Sequence, residues 1–139
     1  MSRLQHMDKS LVDLVSQINE AKRLGVKRLA IQTVLAVIPK TPETLEAIKC
    51  VTDWAVPNLE LSKAILEIAE AHDENSYQGK DDDTFDWFCY YTQARALRAL
   101  SHALEENSVE STCDCIYESI HSFVSQEIYF EEIKTLIGS

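Results

Sequence analysis

Apolar residues recur at three- and four-residue intervals along most of the chain, the period of helices that bury one face. From Asp8 to Leu24 the stripe is Leu11, Leu14, Val15, Ile18 and Ala21, and Gly25 follows where a helix would end in a left-handed cap. Val26 to Ile38 is largely apolar and stops at Pro39, which predicts a helix buried on most sides, with strand as the competing reading. Thr41-Pro42-Glu43 marks the next start. Thr41 is an N-cap, Pro42 takes the first helical position, where its missing N–H costs nothing, and Glu43 lies in the positive first turn. This third stripe is Leu45, Ile48, Val51 and Trp54, ending before Pro57. Asn58, or alternatively Ser62, caps a fourth helix through Leu61, Ala64, Ile65, Ile68 and Ala69 to about Ala71.

The stretch from Asp73 to Asp83 is polar and predicts the longest loop. A fifth and longest helix is expected from about Thr84 to Glu106, aromatic in its first half and rich in Ala, Leu and Arg in its second. Asn107-Ser108 breaks it. Ser108 caps a sixth helix through Ile116, Ile120, Phe123 and Val124, and Ile128 to Ile137 either continues it or forms a seventh. No segment reads as a strand–turn–strand pair. The expected fold class is all-α, with six or seven helices in an antiparallel bundle or a short stack of helical hairpins over a single domain, 1–139.

Composition agrees with this reading. The chain has 139 residues, enough to bury roughly two thirds of its unfolded surface. Three Gly and three Pro leave few turn positions for a many-stranded sheet. The longest apolar strip, Leu29 to Ile38, is interrupted by Gln32 and Thr33, so no membrane span is expected. Met1 to His6 is not followed by an apolar stretch, so no signal peptide is expected either. Cys50, Cys89, Cys113 and Cys115 have neither zinc nor redox-pair spacing, and on a helix Cys113 and Cys115 point about 200° apart. Free and mostly buried thiols in a reducing, cytoplasmic setting are expected.

Charge changes the picture most. Residues 1–40 carry a net +4 and residues 41–139 a net −14, which together give −10. Such a field repels nucleic acid and anionic membrane and draws in basic partners. Two acidic groupings stand out as candidate partner-binding surfaces. One is Asp81, Asp82, Asp83 and Asp86 with Trp87, where an exposed aromatic inside an acidic rim would serve as an anchor. The other is Glu105, Glu106 and Glu110. The same aspartates also suit capping of the fifth helix, and they lack the central Gly and terminal Glu of a calcium loop.

Catalytic and metal motifs are missing. There is no Gly-x-Ser-x-Gly elbow and no Gly-rich phosphate loop, since Gly25, Gly79 and Gly138 are isolated. Asp114, Glu118 and His121 share one helical face, and Glu118-Ser119-Ile120-His121 has the Glu-x-x-His spacing of bundle metal centres, but a second copy is absent. His102, among Ala and Leu, reads as a packed and hydrogen-bonded histidine. Arg95 and Arg98 read as internal partners for carboxylates of neighbouring helices, and Lys22-Arg23 with Lys27-Arg28 as a basic segment that pairs with acidic faces of this chain or of a second copy.

Three stretches in order, LAIQTVLAVIPKTPETLEAIKCVTDWA, NLELSKAILEIAEAHDEN and TFDWFCYYTQARALRALSHALEENS, resemble the helical immunity proteins of bacterial polymorphic toxin systems. The resemblance spans about residues 29 to 107 and rests on Pro42, Ala47, Ile48, Trp54, Ala71, His72, Ala99 and His102; the Gly that usually follows the Trp is Ala55 here. It implies a non-catalytic protein that neutralises a partner toxin by binding it; separately, the residues lead to no expected cofactor or metal. A nuclease-type toxin would suit the acidic charge. The competing expectations are a metal-binding helical bundle built on Glu118 and His121 and a structural helical scaffold module.

Overall fold

The computed structural model describes residues 9–81 and 87–122, and beyond them residues 131, 134 and 135. The architecture is all-α. In chain order the helices are α1 (Lys9–Gln17), α2 (Glu20–Val34), α3 (Pro42–Thr52), α4 (Leu59–Asp81), α5 (Trp87–Ala103) and α6 (Val109–Ile120), with a short 3-10 turn at Leu35–Val37. The region expected to hold a seventh helix lies almost wholly outside the described residues.

Local chemistry sets most of the helix starts. Thr41 accepts from Thr44 N while the Thr44 hydroxyl accepts from Thr41 N, and Pro42 opens α3. Ser108 and Ser111 repeat the arrangement at α6. The Asn58 side chain accepts from Leu61 N at 3.1 Å and caps α4.

Two expected boundaries are corrected. The first two helices divide at Asn19, not at Gly25. The Asn19 side chain accepts from Lys22 N at 2.9 Å, α2 runs straight through Gly25, and no glycine among the described residues has a positive φ. The polar stretch after Ala71, expected as a loop, continues α4 as far as Asp81. Ion pairs to α5 hold it. Asp73 binds Arg98, and it also accepts from Arg95 Nη2 at 3.2 Å; one turn further on, Ser76 is buried.

One buried cluster draws on all six helices, from Leu11 and Val15 of α1 to Ile116 and Ile120 of α6. α5 is its spine. It packs on α4 most extensively, then on α6, and α2 closes against both α5 and α6, which makes a bundle and not an open stack of hairpins. Ala94, Ala96, Ala99 and Ala103 are fully buried on α5 and let its neighbours approach closely. Between them Leu97 and Leu100 are fully buried as well, each contributing on the order of 2 kcal/mol. Ser62 and Ser101 seal the α4–α5 contact, each hydroxyl donating to the other residue's carbonyl at 2.8 and 2.9 Å. Among the described residues, no helix is long and apolar enough to cross a membrane.

Candidate functional site

The turn from α3 to α4 presents an aromatic residue in an unusual way. Ala55 N donates to Cys50 O at 2.8 Å, the six-to-one bond that ends a helix through a left-handed residue, and the residue in that position is Trp54. Its φ is 62°, a conformation that glycine adopts freely and a bulky side chain does not, at a cost of about 1–3 kcal/mol. The sequence pattern places Trp54 in the buried stripe of α3. Instead it lies past the helix end with 45% of its surface exposed, and the Arg28 guanidinium stands 5.3 Å over its ring. The exposed Leu59 follows at the start of α4, and Asn58 N anchors the turn by donating to Leu104 O at 2.8 Å.

The start of α2 and the α5–α6 turn meet beside this tryptophan. Asn107 Nδ2 donates to Glu20 O at 2.6 Å. Arg23 turns inward, with Nε donating to Asn107 O at 3.3 Å and Nη1 to Ile18 O at 2.8 Å. Between the two junctions lies a cavity of about 440 Å³. Ala21, Leu24, Val56 and Trp54 supply its apolar lining, and Asn19, Glu20 and Asn107 its polar one. A second cavity of about 330 Å³ is lined by Glu46, Asn58, Glu60, Leu61 and Ala64.

The carboxylates expected to bind a partner fall unevenly around this corner. Glu106 and Glu110 are exposed, one just before Asn107 and the other in the first turn of α6. Asn107, which follows Glu106 directly, reaches Glu20 O, and none of the three glutamates forms an ion pair among the described residues. Glu105 departs from expectation, because it is half-buried and accepts from His102 Nδ1 at 2.6 Å. Asp82, Asp83 and Asp86 lie outside the described residues, Asp81 is the last residue of α4 and Trp87 the first of α5. The first acidic grouping is thus not part of the described corner.

Internal pairing leaves the surplus of carboxylates on the surface. Arg95 Nη1 binds the fully buried Glu118 at 3.0 Å, while Arg95 and Arg98 share Asp73. Burial alone would lower the Arg95 pKa, but Glu118, Asp73 and the Tyr91 ring beneath it carry it upward. This is the role the sequence assigns to both arginines. It also occupies Glu118, the carboxylate at the centre of the metal reading, and His121 Nδ1 sits 2.8 Å from Tyr117 O. Among the described residues no three His, Cys, Asp or Glu side chains are grouped to hold a metal ion.

Lys27 is the second departure. The sequence places it in a basic segment that pairs with acidic faces, yet it is 0% exposed and, among the described residues, its Nζ has no hydrogen-bond partner. Burial lowers its pKa, with Cys115 and Glu105 pulling it up and Arg23 pushing it down. Burial likewise pushes the Cys115 thiol up to about 12, against the pull of Lys27. Trp54 and Lys27 are the residues that periodicity alone misplaced or left unremarked. No family model matches the chain, and no curated protein or solved structure matches it either.

Proposed function

We propose that this chain is a non-catalytic binding protein that engages a basic partner through the corner formed by Trp54, Glu20, Glu106 and Glu110. The observation that carries the reading is the strained, exposed tryptophan on a cavity it shares with Glu20, a carboxylate that forms no ion pair among the described residues. A large aromatic held out of the core costs stability, and it supplies rigid apolar area of the kind that dominates binding energy. Carboxylates around it speed the approach of a cationic surface and reject an anionic one. The resemblance to helical immunity proteins supplies the biology: the partner is a toxin, most simply a nuclease whose cationic active site these carboxylates cover. On this reading the acidic surface occupies the place of the nucleic-acid phosphates.

The test is made with the product of the open reading frame next to this chain's own. Co-expression should relieve its toxicity, and association should slow at least about tenfold between low and physiological salt. Reversal of Glu106 and Glu110 to lysine should weaken the complex comparably. Reversal of Asp82 and Asp86 tests the other acidic grouping separately. A complex insensitive to salt and to both reversals excludes the electrostatic reading.

A further inference from the structure

We propose that the cavity beside Trp54 takes the side chain of a lysine or arginine from the partner. The inference rests on the basic-partner reading and names what that partner inserts. Three features of the cavity point to a cation on an apolar stem. Its volume of about 440 Å³ is ample for one long side chain, and Ala21, Leu24 and Val56 would line the methylenes. Its polar side offers acceptors. Glu20 carries an exposed carboxylate that forms no ion pair among the described residues. A carboxylate accepts hydrogen bonds from an ammonium or guanidinium and repels another carboxylate. The Trp54 ring already carries the Arg28 guanidinium at 5.3 Å, so its electronics suit a cation.

Among the described residues, neither Arg23 nor Arg28 forms an ion pair with Glu20. Arg23 donates to two backbone carbonyls, and Arg28 lies over the indole. The positive end of α2 is met by the Asn19 cap and by Glu20 itself. A carboxylate ligand would face Glu20 at close range, whereas a cation gains it as a partner.

The experiment titrates the intact chain with blocked amino acids and follows amide and indole resonances. The probes are Nα-acetyl-arginine N-methylamide, the lysine equivalent and the norleucine equivalent, which keeps the stem and lacks the charge. Saturable shifts are expected at Trp54, Ala21 and Asn107 for the two cations, with millimolar affinity, roughly as expected for one side chain. Norleucine should bind at least about fivefold more weakly, and Glu20→Gln should remove most of that difference. Trp54→Gly should abolish the shifts while the denaturation midpoint is kept or raised, because glycine relieves the left-handed backbone. Equal binding of norleucine, or shifts that survive both substitutions, would overturn the assignment. The two proposals fail separately. A salt-sensitive complex with a cavity indifferent to the cationic probes sinks only this one, and a salt-insensitive complex sinks the basic-partner reading.

Discussion

At the scale of single residues, Lys27 is the most consequential. Read along α2, Leu24, Lys27, Ile31 and Val34 fall at helical spacing on one buried face, so a lysine occupies a core position. An ammonium buried without a partner is unfavourable, and replacing it with an apolar side chain of similar volume removes the penalty. Lys27→Met is expected to stabilise the protein by about 1–3 kcal/mol at pH 7, read from urea denaturation. The pH dependence follows from linkage. The unfolded lysine keeps its proton up to about 10.5 and the folded one releases it earlier, so within that window the unfolded chain binds more protons and stability rises with pH. The advantage of the methionine variant should therefore shrink as pH rises towards 10.5. Cys115 acts in the opposite sense. Its folded pKa is raised from 9.0 to about 12, so the contribution of its protonated form is lost as pH climbs through that range. Lys27 also holds the Cys115 pKa down, so the difference between the two chains at each pH reads the coupled pair, with Lys27 dominating below pH 9.0.

At the scale of elements, the sequence was most legible where a local bond starts a helix and least where a distant partner extends one. Thr41, Asn58 and Ser108 advertise themselves as caps, and each caps. Asn19 is an equally good cap, but Gly25 is a more conspicuous breaker, and the pattern was divided there. Gly25 is in fact an interior helical residue, and a methyl group built on it meets nothing within 4 Å. Gly25→Ala should stabilise the chain by about 0.5–1 kcal/mol, seen as a higher urea midpoint at unchanged slope. The far end of α4 was illegible for the converse reason. Nothing in its polar sequence reveals that Asp73 is held by two arginines of α5. The same network ties α6 to α5 through Arg95 and the fully buried Glu118. Glu118→Ala leaves Arg95 without its closest carboxylate in a dry setting and should cost about 3–5 kcal/mol. Glu118→Leu combined with Arg95→Met, an apolar pair of similar size, should lose much less; thermal denaturation of the two variants makes the comparison. Trp54 was misread for a related reason. Its spacing continues the α3 stripe, but the helix has already ended at Thr52, two residues before it, as the backbone bond from Ala55 to Cys50 and the left-handed φ of Trp54 show.

At the scale of the whole molecule, a net charge of −10 on 139 residues acts on folding and on binding with opposite signs. Like charges on a compact surface repel, and the unfolded chain relieves that repulsion by expanding. The ion pairs that bridge α4, α5 and α6 are largely buried and therefore only weakly screened, whereas Glu20, Glu106 and Glu110 face solvent. Sodium chloride raised from about 20 to 300 mM shortens the screening length from about 20 Å to below 10 Å. It should then stabilise the isolated chain by up to about 1 kcal/mol while weakening its complex with a basic partner. Chloride is preferred to sulfate, which stabilises folded proteins by surface exclusion whatever their charge. Urea midpoints at the two salt concentrations provide the check without any partner in hand. A chain that lost stability on adding salt would be one whose exposed carboxylates are already met by its own lysines and arginines. A surface balanced in that way would have no long-range attraction to offer a cationic protein.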